Sequence, residues 1–246
     1  MSDIGKELYR SYDEYGLIKV VDDGNKRFLA FAEDDEQSCQ LKSEPVQLQH
    51  DYTQAMLLVL LFCQPQKIIL FGLGGGCLAG TLHHHFPGLK LRVVELRQAV
   101  VDLAYRFFQL PRSKRMTVYT EDVGDFLQRE HGKADVIFSD IYCAQGLDRQ
   151  QVQPWFIERC AELLKDRGWL VLNCWRQHRA EDAMIESLQQ HFADVRVCGT
   201  AEGNWVVLAG KQRFSGSASG QKSAAKALSK KLGYSLSAHF SRLNQV

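Results

Sequence analysis

The sequence predicts an α/β protein: a seven-stranded, mostly parallel sheet with an antiparallel terminal hairpin, preceded by a small N-terminal β unit. Three observations point there. Short apolar runs alternate with helical stretches between residues 67 and 210, the pattern of a doubly wound sheet. The last two runs, 194–198 and 204–210, are separated by five residues, too few for a crossover, so they pair antiparallel. A cluster of glycines, Gly72-Leu73-Gly74-Gly75-Gly76, stands at the first strand-to-helix junction of the alternating region.

In chain order, residues 8–32 read as strands separated by glycine turns, with Asp23-Gly24 forming a hairpin between 17–21 and 27–31. An acidic turn at 33–36 leads through Gln37-Ser38 to a loop ending at Pro45. A helix follows over 46–63, because Pro45 suits its first turn and Leu48, Tyr52, Met56, Val59 and Leu60 share a face. Strands are then predicted at 67–71, 91–95, 116–120, 134–139 and 168–175 before the hairpin, and helices at 77–85, 98–108, 122–130, 153–166 and 179–191. A parallel sheet closed by such a hairpin is the Rossmann-like methyltransferase architecture. It argues against an NAD dehydrogenase, and no hydride-transfer constellation is recognisable. Residues 214–221 read as a Ser/Gly linker, and 223–232 as a short basic helix with Ala225, Leu228 and Leu232 on one face, ended by Gly233. The predicted organisation is a β unit at 1–45, an adenosyl-binding domain at 46–212, and a basic linker and helix at 213–246.

Composition narrows the class. With 246 residues, 45% hydrophobic and 24% charged, the chain can bury the core of an ordinary globular protein. Seven cysteines contain no Cys-x-x-Cys pair, which favours reduced, buried thiols and a cytoplasmic location over a disulfide frame. The N-terminus has no apolar core and does not read as a signal peptide, and the longest apolar run, 55–63, falls far short of the ~20 residues that a membrane span needs. The net charge of +1 conceals an asymmetry: residues 211–246 carry seven Lys/Arg and no acid, leaving 23 basic against 29 acidic residues in the rest. That tail reads either as a solvated appendage or as a contact for nucleic acid or another acidic partner.

The chemistry-bearing residues lie at strand ends. Glycines at 72, 74, 75 and 76 allow positive φ and close approach of a ligand, and the following helix directs its free N–H groups at the loop. Glu95, 23 residues beyond Gly72 and followed by Leu96, stands where an acid accepts hydrogen bonds from both ribose hydroxyls of a nucleoside. Asp122, next to Val123, either caps a helix or meets an adenine amino group. Asp140, with Tyr142 close by, faces the reacting centre. His83-His84-His85 point about 100° apart on a helix and cannot readily share an ion, so no metal is predicted. Trp155, Trp169 and Trp205 read as core, and Trp175 as ligand-side.

Gly74-Gly75-Gly76, Glu95, Asp122 and Asp140 give the chain, over roughly residues 15–210, a resemblance to the spermidine synthase family, part of the S-adenosyl-type transferase superfamily. Gln37-Ser38, Tyr52-Thr53, Asp140-Ile141-Tyr142, 164–168 and Val171-Leu172-Asn173 look similar to a divergent bacterial branch. The resemblance implies S-adenosylmethionine or its decarboxylated form as cofactor, held with help from Gln37, and a small-molecule acceptor such as an amine. It assigns Asp140 the role of base, and it leaves a homodimer open. Two departures matter. Cys77 stands where the family has an aspartate that grips the amine of the decarboxylated sulfonium, and Cys143-Ala144 replaces the Asp-Pro that helps hold a diamine. Both argue against spermidine synthesis itself. The alternatives kept open are a genuine aminopropyltransferase and a non-catalytic adenosyl-binding or nucleic-acid-associated module.

Overall fold

The computed structural model describes residues 5–33, 36–129, 132–143, 146–176 and 182–246. Asp34, Asp35, Ala144 and the predicted helix ends at 130 and 179–181 lie outside the described residues, as does the side chain of Cys143.

Four strands open the chain: β1 (Lys6–Asp13), β2 (Gly16–Asp23), β3 (Lys26–Ala30) and β4 (Ser38–Leu41), antiparallel in sequence order. The Asp23-Gly24 hairpin forms, with Asp23 paired to Lys26. The next helix is shorter than predicted: α1 (Asp51–Met56) runs into a 3₁₀ turn over Leu57–Leu61, both packed in the core. The alternating region then supplies β5 (Lys67–Phe71), α2 (Cys77–His85), β6 (Lys90–Glu95), α3 (Gln98–Phe107), β7 (Met116–Thr120), α4 (Val123–Gln128) and β8 (Ala134–Ser139). Two short strands, β9 (Tyr142–Cys143) and β10 (Gly146–Leu147), form a small hairpin. They are followed by α5 (Pro154–Leu163), β11 (Leu164–Trp175), α6 (Asp182–His191) and the terminal hairpin β12 (Asp194–Gly199) and β13 (Asn204–Gly210).

Starting from a strand of the tail, β14 (Leu243–Gln245), the central sheet runs β14-β12-β13-β11-β8-β5-β6-β7. Strands β7, β6, β5, β8 and β11 are parallel, and β11, β13 and β12 are antiparallel to one another in turn. The eighth strand, β14 (Leu243–Gln245), comes from the tail and pairs antiparallel with β12, so the sheet has eight strands where seven were predicted.

The tail is therefore no solvated appendage. The predicted Ser/Gly linker is helical from residue 218: Ser217 caps α7 (Ala218–Leu232) through the N–H of Gly220, and Gly233, in a left-handed conformation, ends it. Ala225, Leu228, Leu232 and Leu236 are buried in the same core as α1, α2 and one face of the sheet. The other face packs α4, α5 and α6, with Phe71, Phe126 and Phe156 in edge-to-face contact. The lysines of α7 stay exposed because they occupy the opposite side of the helix.

A third core joins the N-terminal unit to α3 through Ile18, Val20, Leu29, Phe31, Val100, Leu103 and Phe108. Arg97 pins this junction. Its guanidinium donates to Asp13 (2.8 and 3.0 Å) and to the carbonyl of Gly16 (2.9 Å), and it lies 4.7 Å from the ring of Phe31. Among the described residues no helix is long and apolar enough to cross a membrane.

Candidate functional site

Strand order reverses between β5 and β8, so the loops leaving these strands diverge and a crevice opens at their carboxyl ends. The N-terminal unit covers it. Gly72, Leu73, Gly74, Cys77, Glu95, Leu96, Asp122, Val123, Asp140 and Tyr142 line the crevice from the sheet side, and Tyr15, Phe31, Gln37 and Ser38 from the N-terminal side.

The glycines divide by role. Gly72 (φ 87°) and Gly74 (φ 53°) lie on the wall, with backbone angles that side-chain-bearing residues rarely adopt. Gly75 and Gly76 lie behind this wall. A Cβ on Gly75 would meet the Phe108 ring at 2.9 Å, and one on Gly76 would meet Leu110 at 2.7 Å, so these two are small because the loop packs tightly behind itself.

The loop's N–H groups are mostly engaged already. Leu73 donates to Glu95 Oε2 (2.9 Å), Gly74 also donates to Glu95, Gly75 donates to Ser38 Oγ (2.8 Å) and Gly76 to the carbonyl of Leu73 (2.9 Å). What remains for an anion is the first turn of α2, at Cys77, Leu78 and Ala79, whose N–H groups precede any intrahelical acceptor.

Glu95 is 8% exposed. Oε1 accepts from the N–H of Arg97 (3.0 Å), and burial pushes the carboxyl above its usual range while these backbone donors pull it back. A carboxylate offers about four lone-pair directions. With Leu73 on Oε2, Arg97 on Oε1 and Gly74 as a third backbone donor, about one direction remains for a ligand hydroxyl. Asp122 caps α4: Oδ1 accepts from Gly124 (2.6 Å) and Asp125 (3.4 Å), while Oδ2 lies 3.5 Å from the amide of Gln150. It is a cap and a crevice residue together.

Asp140 follows β8 directly. Burial drives its carboxyl up to about 6, against donors that favour the charged form: the Asn173 amide (2.8 Å to Oδ1) and the Tyr52 hydroxyl. Tyr142 donates to the carbonyl of Asn173 (3.4 Å), and its ring lies 5.9 Å from that of Trp175. A side cavity opens beyond Tyr52 and Tyr142, where Trp175, His50, Glu36 and Glu202 also reach. His50 stacks on Tyr52 (5.4 Å), and burial lowers its pKa.

Cys77 donates to the carbonyl of Cys39 (3.6 Å), and burial raises its thiol to about 12, so it is neutral. Trp169 and Trp205 are core, but Trp155 is 43% exposed, a correction to its predicted burial. Sequence reading put Tyr52 on a helix face and used Tyr52 and Asn173 for the family resemblance without assigning either to the site, and it did not single out Asn204. The available signal was a polar residue interrupting an apolar strand, as in Leu172-Asn173-Cys174 and Asn204-Trp205-Val206, since buried amides need partners.

The profile of the Methyltransferase small domain matches residues 47–208. The chain belongs to this family. The chain is also similar to spermidine synthase-like proteins. A polyamine aminopropyltransferase of Chromobacterium violaceum is 27% identical over 199 residues, covering 79% of this chain and 76% of that protein. A probable spermidine synthase from Corynebacterium glutamicum superposes with a TM-score of 0.76 at 19% identity, covering 99% and 91% of the two chains. Human methyltransferase-like protein 13, solved in complex with SAH, gives a TM-score of 0.68 at 22% identity, covering 75% and 93%.

Proposed function

We propose that this chain is a transferase that binds an adenosyl sulfonium, S-adenosylmethionine or a relative, and moves a group from it to the nitrogen of a small amine. The observation that carries the reading is that one crevice at the switch point holds both Glu95, with an acceptor direction left for a ribose hydroxyl, and Asp140, a buried acid whose pKa is raised to about 6.

The crevice fits an adenosyl group on its own terms. Gly72 and Gly74 leave the loop open to close approach, Glu95 offers an acceptor, and Leu96 and Val123 supply apolar contacts beside Asp122. A bound sulfonium supplies an electrophilic carbon and a neutral thioether leaving group. The residues of the chain do the rest. Asp140, ionised above about pH 6, accepts a proton from the incoming ammonium and so frees the nitrogen lone pair. Glu36 and Glu202, with the rings of Tyr52, Tyr142 and Trp175, give the side cavity the character of a cation site. Alignment of nitrogen with carbon supplies much of the rate.

Cys77 favours methyl over aminopropyl transfer. A neutral thiol neither attracts the ammonium end of decarboxylated S-adenosylmethionine nor repels the carboxylate of S-adenosylmethionine, which the first turn of α2 suits. Incubating the protein with each sulfonium and a panel of small mono- and diamines, with mass spectrometry of the products, tests the reading. Methylated amine is expected, and Asp140→Asn abolishes its formation while sulfonium binding persists. Turnover undiminished in Asp140→Asn would remove the base. No binding of either sulfonium would remove the function.

A further inference from the structure

We infer that Asn173 and Asn204 are positioning residues for Asp140, Asn204 fixing the orientation of the Asn173 amide so that its N–H group, and not its oxygen, meets the carboxylate. The inference rests on the reading of Asp140 as the base.

Neighbouring antiparallel strands bring the two asparagines together. Asn173 pairs with Val206 and Trp175 with Asn204, which sets the two amides near each other at the crevice end of β11 and β13. They are 1% and 9% exposed. A side-chain amide has nearly the same shape either way round but opposite chemistry at its two ends. Asn204 Nδ2 donates to Asn173 Oδ1 at 3.0 Å, which occupies the carbonyl end and leaves Nδ2 to donate to Asp140 Oδ1 at 2.8 Å. Asn204 is itself anchored through its main chain. Its N–H donates to Thr200 Oγ1 (3.0 Å) and its carbonyl accepts from the N–H of Thr200 (3.0 Å). The main-chain carbonyl of Asn173 accepts from Tyr142 and from the Gln151 amide (2.6 Å), so one strand residue touches both Asp140 and its neighbour Tyr142.

A core asparagine needs only some partner, and Asn173 has one in Asn204. That its second bond ends on the acid at the reacting centre gives the pair a further role. Other groups face Asp140 from every side. Tyr52 on α1 donates to it, and Tyr142 adjoins it. The neutral thiol of Cys77 lies near Tyr52 at the start of α2, and His50, Glu36 and Glu202 line the side cavity. Of the two donors that offset burial, the Asn173 amide is the reversible one. Turned over, it presents an acceptor to an acceptor and favours the protonated acid.

The test reads Asp140 itself and needs no acceptor. Carboxyl ¹³C resonances of aspartate-labelled protein are followed against pH, with Asp140→Asn identifying the signal and circular dichroism checking the fold. Asn173→Leu removes the donor and is expected to raise the Asp140 midpoint by at least one pH unit. Asn173→Ser, too short to reach the acid, does the same should the leucine variant fail to fold. Asn204→Leu frees the amide without adding charge and is expected to raise the midpoint by about half a unit. Asn204→Asp, which draws the Asn173 N–H away and adds a charge, raises it further. An unchanged midpoint in the folded Asn173 variants overturns the contact, and a shift in Asn204→Asp without one in Asn204→Leu reduces Asn204 to a matter of charge and overturns its orienting role. Persistent transfer by Asp140→Asn would sink the base role but leave these titrations standing, so the two failures are distinguishable.

Discussion

Gly72 and Asp140 touch through their backbones: a Cβ built on Gly72 would lie 2.2 Å from the main-chain oxygen of Asp140. The ends of β5 and β8, where the sheet's winding reverses, are thus in direct contact. Gly72→Ala meets both this clash and a φ of 87°, whereas Gly203→Ala, at φ 100° with nothing within 4 Å, meets only the backbone strain. Strain of this kind costs ~1–3 kcal/mol. Urea denaturation is expected to show Gly203→Ala within that range and Gly72→Ala clearly beyond it, with sulfonium binding lost only in the latter. Equal costs would mean that the strand ends can part freely.

Glu95 holds the loop as well as facing the crevice, through Leu73, Gly74 and Arg97. Charge-assisted hydrogen bonds are worth ~1.5–3 kcal/mol each. Glu95→Ala is therefore expected to weaken S-adenosylmethionine binding at least tenfold by calorimetry and to lower stability at the same time. Unchanged affinity would take Glu95 out of the ligand site.

Cys77→Asp restores a carboxylate at the start of α2. A contact at a few ångströms with an effective dielectric near 20 is worth up to ~4 kcal/mol before desolvation. The wild-type protein is expected to bind S-adenosylmethionine at least as tightly as the decarboxylated form, and the variant to reverse the order. Side-by-side titration decides this. A tenfold wild-type preference for the decarboxylated ligand, with spermidine formed from putrescine, would restore aminopropyl transfer.

Asp140 sets a pH dependence with a definite sign. Its folded pKa of about 6 lies above the ordinary value of 3.8, so the folded state holds the proton more tightly than the unfolded one. Its contribution to stability is present below about pH 4 and is lost as pH rises through 6. At ~1.4 kcal/mol per unit of separation, ionised Asp140 costs at most roughly 3 kcal/mol at neutral pH. Asp140→Asn is expected to be more stable than wild type at pH 8, with the gain vanishing near pH 4. A gain independent of pH would show that Asp140 is not the titrating group.

The tail completes the core. Leu228, Leu232 and Leu236 are 8%, 3% and 0% exposed. Truncating one buried leucine to alanine costs ~2–5 kcal/mol. Leu232→Ala is expected to fall in that range by urea denaturation, and removal of residues 214–246 to lower the melting temperature by well over ten degrees. A loss of a few degrees would make the tail dispensable.

By itself the sequence determined what depends on local pattern. Residues 67–71 had to be a buried strand and Gly72 a turn, because apolar runs and glycine constrain the backbone wherever they fall. The five-residue gap before Asn204 left no path but a hairpin, and the acids at 95, 122 and 140 followed from the strand ends that carry them. Tertiary structure alone decided which partners meet across long chain separations. The pattern at Ala225, Leu228 and Leu232 marked an apolar face without naming the sheet it would cover, and nothing near Leu243 announced an edge strand, since pairing depends on a neighbour some 47 residues away at Arg196 to Cys198. The same holds within the site. Gly74 and Gly75 look alike in sequence, yet one faces the crevice and the other Phe108. Asn173 became a partner of Asp140 only when β11 was laid beside β8, for a hydrogen bond depends on distance and direction in space, which the order of residues does not specify.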